Sequence, residues 1–125
     1  RSFVLVGGPE DIIRGDEIVS NTAYGLNACG HLSLTQSALL VKGAEFVVSH
    51  DTGMMHISAA FKKKIYSVWG NTVPAFGMAP YMADSLSVTV ENKELGCRPC
   101  SKIGYSKCPR GHFKCMQDID LSVIR

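Results

Sequence analysis

Asp51-Thr52-Gly53-Met54, with His56 two positions further on, has the residue types of an anion site. Asp51 and Thr52 suit the N-cap of a helix, and Gly53 lets a ligand come close to the backbone. Phe46-Val47-Val48-Ser49 before them reads as a buried strand, and Met55, Ile57, Ala59, Ala60 and Phe61 after them suit a helix packed on a sheet. Free N–H groups and the positive end of the helix dipole meet at such a junction, which favours phosphate. His56 falls one turn into the helix. Its imidazole, with an ordinary pKa of about 6.5, can stabilise phosphate charge or serve as a structural histidine. His50 and His31 have weaker cases. Asp-Thr-Gly is also the signature of aspartic proteases, and one copy in a short chain could be half of a homodimer. Those enzymes are all-β, whereas this triplet opens an apparent helix.

A second group of reactive residues lies near the C-terminus. Cys97, Cys100, Cys108 and Cys115, with His112 between the last two, have the pattern C-x2-C-x7-C-x6-C. Cys97 and Cys100 can chelate one metal, with Cys108 and Cys115 or His112 completing a tetrahedral structural zinc site. Two disulfides and four free thiols are the other readings, and the spacing does not choose among them. Cys29 stands apart as a core residue.

These residues need elements to hold them. Phe3-Val4-Leu5-Val6 reads as a strand, followed by a Gly7-Gly8-Pro9-Glu10-Asp11 turn and a helix over Ile12, Ile13, Ile18 and Val19. Pro9 suits the first helical position and Glu10 and Asp11 the first turn, while Gly15 weakens the helix. The glycine turn is either a phosphate-facing junction like that at Gly53 or a tight connection without a ligand. A short strand is expected around residues 23–26. Ser33-Leu34-Thr35-Gln36 has the form of a capping box, opening a helix that ends at Gly43 as a C′ residue. Lys62-Lys63-Lys64 reads as a favourable, solvated helix end. Ile65-Tyr66-Ser67-Val68-Trp69 is a parallel strand whose following loop, Gly70 to Gly77, should lie beside Asp51-Thr52-Gly53. Ser87-Val88-Thr89-Val90 is a last strand, and Ile119, Leu121, Val123 and Ile124 point to a closing helix. The recurring strand–helix order predicts an α/β fold with a parallel sheet covered by helices on both faces.

A length of 125 residues is that of one domain, with residues 1–92 as its core and 93–125 as a cysteine-rich loop and closing helix. No apolar run approaches the roughly 20 residues that cross a bilayer. The net charge of +2 hides an asymmetry. Residues 1–92 carry six basic and eight acidic side chains, residues 93–125 seven basic and three acidic. Cys97 to Cys115 holds five basic residues and no acid, as an anionic partner or a solvated loop would require. No nucleic-acid partner is expected. The chain opens on Arg1 and directly on a strand, so it is expected to be a piece of a longer protein.

His50-Asp51-Thr52-Gly53-Met54-Met55-His56-Ile57-Ser58-Ala59-Ala60, followed by Val68-Trp69-Gly70-Asn71-Thr72-Val73-Pro74, resembles glycosyltransferase family 9, the heptosyltransferases of lipopolysaccharide core synthesis. Leu5-Val6-Gly7-Gly8-Pro9-Glu10, Cys29-Gly30-His31-Leu32-Ser33-Leu34 and the cysteine tail resemble further family stretches in the same order. The resemblance implies a Rossmann-like, donor-binding C-terminal half of a two-domain GT-B enzyme. The acceptor domain and its catalytic base would lie outside the chain, so no catalytic residue is expected within it. It implies backbone N–H contacts from Thr52, Gly53 and Met54 to the diphosphate of an ADP-heptose-type donor, with Asp51 on the sugar and His56 as the motif histidine. Gly8, Glu10 and Leu32 match positions near the nucleotide. No catalytic metal or cofactor is implied. The implied acceptor is the lipopolysaccharide core, reached through the other domain by a cytoplasmic enzyme at the inner face of the inner membrane, with peripheral membrane association. A non-catalytic nucleotide- or phosphate-binding domain with a cysteine-rich interaction tail is the alternative.

Overall fold

The computed structural model describes residues 1–125, which form two compact units, 1–40 and 41–125. In the first, β1 (Phe3–Leu5) and β2 (Gly25–Asn27) pair in parallel, Phe3 opposite Gly25. They are joined through a 3-10 turn at Pro9–Asp11 and α1 (Ile12–Ser20). Pro9 stands at the start of the turn with Glu10 and Asp11 behind it, as their preferences predict. Gly15, the residue that weakened the helix on paper, has a packing reason. A Cβ there would come within 2.4–2.6 Å of the Asn27 amide. That amide donates to the Ile12 carbonyl (2.9 Å) and the Asp16 carboxylate (2.7 Å) and accepts from the Cys29 N–H (3.1 Å). Glycine therefore lets α1 close on β2 through a polar bracket that a side chain would displace.

The helix α2 (Leu34–Gly43) begins with the expected capping box. Gln36 N–H donates to Ser33 Oγ at 3.2 Å, and Ser33 N–H to Gln36 Oε1 at 2.8 Å. Ser33→Ala should cost about 1 kcal/mol in urea unfolding. An unchanged midpoint would show that water replaces the cap. Gly43 is the last helical residue and has no left-handed φ, so it is not the C′ residue expected.

In the second unit β3 (Phe46–Ser49), β4 (Lys64–Trp69) and β5 (Val88–Glu91) form a parallel sheet in that order. Between β3 and β4 runs α3 (Gly53–Ala60). Residues 70–87, between β4 and β5, carry only a 3-10 turn at Pro74–Phe76, so this crossover is loop rather than helix. Alternation along β4 makes two cores. Ile65 and Trp69 pack with Met55 and Ala59 of α3. Tyr66 and Val68 pack with Val90, Phe46 and Val88 and with Met116, Ile119 and Ile124 of the C-terminal segment.

Two further expectations are corrected here. The closing helix is α4 (Lys114–Gln117), and residues 118–125 are turn and coil. Ile119 and Ile124 reach the core without helical spacing, and the Tyr66 hydroxyl holds the chain end by donating to the Arg125 carbonyl at 2.9 Å. The lysine run does not close α3. Lys62 turns left-handed at φ 55° and donates to the Met82 carbonyl (2.7 Å). Lys63 donates to the Ala44 carbonyl (2.8 Å), and Lys64, already in β4, lies 4.7 Å from the centre of the Tyr66 ring.

Candidate functional site

The parallel strand β3 delivers the chain at its carboxyl end to His50-Asp51-Thr52, and α3 starts at Gly53. Thr52 occupies the N-cap with extended dihedrals (φ −140°, ψ 165°), but its side chain caps nothing. Its hydroxyl instead meets Ser49 Oγ at 3.1 Å, and Ser49 Oγ donates to the His50 carbonyl at 3.0 Å. Met55 N–H turns back to the Thr52 carbonyl at 3.1 Å, whereas the N–H groups of Gly53 and Met54 make no hydrogen bond within the protein. A β-branched residue held extended at the N-cap, with its hydroxyl drawn away, leaves those donors available where the helix dipole is positive.

Two ionisable groups flank the donors. His56 Nε2 is 3.9 Å from Asp51 Oδ1, and the side chains are 45% and 28% exposed. Beside Asp51 a cavity of about 310 Å³ is lined by His50, Asp51, Trp69, Asn71, Tyr105 and Phe113, among others. The loop after β4 thus lies beside Asp51, as the neighbouring of consecutive strands requires.

That loop is held by residues that no spacing rule singled out. Arg98, its side chain 4% exposed, donates through Nε to the Gly70 carbonyl and through Nη2 to the Thr72 carbonyl (2.9 Å) and Glu91 Oε2 (2.9 Å). Its Nη1 donates to the Asn92 carbonyl at 2.8 Å. Cys100 N–H donates to the Asn71 carbonyl (2.8 Å), Asn71 Nδ2 to the Tyr105 carbonyl (2.7 Å) and Thr72 Oγ1 to the Lys102 carbonyl (3.0 Å). The basic tail therefore builds one wall of the cavity. In sequence Arg98 is one of five cations in the tail, and only its burial distinguishes it.

Gly8, Glu10 and Leu32 belong to the first unit. Gly8 N–H is taken by the Asp11 carboxylate at 3.0 Å and its carbonyl accepts from Asp11 N–H at 3.1 Å, so this donor serves the turn itself. Glu10 is exposed and Leu32 half-buried. Leu32 lines a largely apolar groove with Val4, Leu26, Ala28, Gln36 and Leu39.

All five cysteines are free thiols. Cys97 Sγ lies 3.9 Å from His112 Nε2, and Cys100 Sγ donates to the Cys97 carbonyl at 3.4 Å. The Phe113 N–H above all, with those of Arg110, His112 and Gly111, points at Cys108 and lowers its thiol pKa. Burial pushes the Cys115 thiol up, and the neighbouring Cys100 and Cys108 push it further. Burial likewise raises Cys29, as a core position implies. No three His, Cys, Asp or Glu side chains stand in metal-ligating geometry.

The description of glycosyltransferase family 9 (heptosyltransferase) matches residues 2–108. The chain belongs to this family. Lipopolysaccharide heptosyltransferase 2 of Escherichia coli (strain K12) is 32% identical over 78 residues, which are 58% of this chain and 22% of that protein. Lipooligosaccharide heptosyltransferase 2 of Campylobacter jejuni is 26% identical over 93 residues, 74% of this chain and 27% of that one. The chain thus spans about a quarter of the length of these family 9 relatives. The solved E. coli ADP-heptose lps heptosyltransferase II superposes with a TM-score of 0.65 at 20% identity, covering 94% of this chain and 35% of its own. A family 9 glycosyltransferase from Veillonella parvula superposes with a TM-score of 0.62 at 24% identity, covering 70% and 24%. These likenesses show a shared Rossmann-like α/β fold. Within it, the Asp-Thr-Gly triplet opens a helix after a parallel strand, so the all-β aspartic protease reading falls.

Proposed function

We propose that this chain is the donor-binding part of a heptosyltransferase-like enzyme that transfers a heptose or similar sugar, with inversion, from a nucleoside-diphospho-sugar of the ADP-heptose class. The observation that carries this is the pair of unbonded N–H groups, Gly53 and Met54, at the start of α3 beside Asp51 and the cavity. The acceptor in this proposal is the lipopolysaccharide core, held by a domain outside these residues that also supplies the base. The enzyme would work in the cytoplasm at the inner face of the inner membrane.

Glycosyl transfer breaks the bond between the anomeric carbon and the β-phosphate oxygen, and negative charge grows on the departing diphosphate. The N–H groups of Thr52, Gly53 and Met54 and the α3 dipole are aimed at that charge before the reaction starts, so they oppose no reorganisation when it forms. A donor of this kind is worth roughly 2.7–4 kcal/mol of barrier in comparable oxyanion sites. His56, beside Asp51, is proposed as a further contact to the diphosphate. Asp51 accepts from sugar hydroxyls, orienting the anomeric carbon toward the acceptor.

Calorimetric titration of the full-length protein with ADP, UDP and GDP tests this. Binding of one nucleotide class, together with turnover of its sugar conjugate, is the expected result. Asp51→Ala should lower kcat/KM for the sugar donor by tenfold or more, about 1.4 kcal/mol. It should barely change the affinity for the free nucleotide, because the carboxylate acts on the sugar. A loss of nucleotide affinity equal to the loss of kcat/KM would remove Asp51 from the sugar.

A further inference from the structure

Tyr105 stands half in solvent, 54% exposed, and Ile103 near it is 91% exposed. Neither adds much to a core, yet the backbone that carries them is tied down. Thr72 Oγ1 donates to the Lys102 carbonyl (3.0 Å) and Asn71 Nδ2 to the Tyr105 carbonyl (2.7 Å). Between Ile103 and Tyr105, Gly104 is left-handed at φ 80°, and a Cβ there would come within 2.5 Å of Asn71 Oδ1. Glycine is what lets this loop close on Asn71. Ile103, Tyr105 and Phe113 line the same cavity as Asp51, so their exposure is one patch and not three scattered residues. Such a patch marks a groove that something else covers. We propose that Tyr105, with Ile103 and Phe113, forms the wall on which the ring of the transferred sugar lies. This subsite rests on the donor-site reading, in which Asp51 meets the sugar hydroxyls.

At about 310 Å³ the cavity lies at the lower end of the roughly 300–1,000 Å³ of ligand pockets, which suits one sugar ring better than a whole nucleotide sugar. Its lining joins a carboxylate and an amide to aromatic and aliphatic surface. A pyranose carries hydroxyls around its rim and C–H groups on its two faces. The rim suits the Asp51 carboxylate and Asn71 Oδ1, since Asn71 Nδ2 is already spent on the Tyr105 carbonyl. A C–H face suits the ring of a tyrosine, an apolar body whose hydroxyl can stay wet. A phosphate inside the cavity would meet the Asp51 carboxylate, whereas at the start of α3 it meets N–H groups. The diphosphate therefore belongs at α3 and the uncharged sugar in the cavity. Tyrosine has only two side-chain torsions, and the Asn71 bond already fixes its backbone, so little freedom is lost when a ligand packs on it. The tail, which otherwise clamps the loop after β4, thereby becomes one face of the donor site.

The test is calorimetric titration of the full-length protein with ADP and, separately, with ADP-heptose. Tyr105→Ala should weaken ADP-heptose by about tenfold and leave ADP within about twofold of the wild type. Tyr105→Phe should restore the affinity for ADP-heptose, because the ring and not the hydroxyl forms the wall. Gly104→Ala, which keeps the ring but pushes it off Asn71, should give the same selective loss as Tyr105→Ala. Thermal unfolding of Tyr105→Ala should match the wild type, since the side chain stands half in solvent. Equal weakening of ADP and ADP-heptose by Tyr105→Ala would move Tyr105 to the nucleotide, and unchanged affinity for both would remove it from the site. Either result overturns the sugar subsite while the donor site stands. A wild-type protein that binds neither ligand is the other failure: the donor-site reading falls, and the subsite with it.

Discussion

Gly53→Val should abolish nucleoside-diphosphate binding without weakening the fold. A Cβ at Gly53 meets nothing within 4 Å, so the protein has room for the new side chain. Gly53 is the first residue of α3 and its φ is not left-handed, so valine is accepted there without strain. The new side chain would stand in open space at the start of α3, on the residue that carries one of the two unbonded N–H groups. A phosphate oxygen bonding to an N–H must come within about 2.9 Å of the nitrogen, and an isopropyl group on that backbone prevents it. Charge-assisted hydrogen bonds contribute roughly 1.5–3 kcal/mol each, so loss of two should weaken binding by at least a hundredfold. Calorimetry on the full-length protein, paired with thermal unfolding, measures both quantities. Unchanged affinity in a folded Gly53→Val protein would mean that the diphosphate lies elsewhere, and the donor-site proposal would fall with it.

Arg98→Ala should be the most damaging single change to stability outside the hydrophobic cores. The guanidinium is nearly inaccessible and serves three carbonyls and one carboxylate. Its removal strands Glu91, whose side chain is 11% exposed and whose remaining partner, Lys93 Nζ at 3.8 Å, belongs to a side chain 78% exposed. Removing one member of a buried pair typically costs about 3–5 kcal/mol, because the other charge stays buried without compensation. Against a total stability of roughly 5–15 kcal/mol that is a large fraction. Arg98→Lys should recover only part of it, since a point charge can satisfy Glu91 but cannot reach four acceptors in a fork. Urea unfolding of the two variants gives the comparison. A cost below about 1 kcal/mol for Arg98→Ala would show that water readily replaces the network.

The strand–helix junctions were legible because their signals are local. A β-branched run, an N-cap residue and a glycine act within a few positions of one another, and β3, α3 and β4 fall where those signals put them. The capping box of α2 is legible for the same reason. The closing helix was misread because Ile119 and Ile124 are apolar for a tertiary reason: they cover Tyr66 and Val68 from a coil, so their spacing answers to the sheet and not to a helical turn. The lysine run misled similarly. Each ammonium has its own partner at a distance in sequence, which no propensity scale contains.

By itself the sequence determined the α/β class, the strand–helix junction at Asp51-Thr52-Gly53 and the family resemblance, because these depend on residue types within one strand–turn–helix unit. The folded structure decided three things that residue types left open, two within local turns and one through tertiary contacts. It drew the Thr52 hydroxyl to Ser49, so that the cap leaves the Met54 N–H unbonded beside that of Gly53. It turned Gly8 N–H inward to Asp11, so that two glycine junctions alike in sequence differ in their free donors. It buried Arg98 among carbonyls contributed by residues 70, 72 and 92. The physical reason is common to all three: whether a polar group is available to a ligand depends on which partner reaches it first, a partner set by the local turn for Thr52 and Gly8 and by tertiary packing for Arg98.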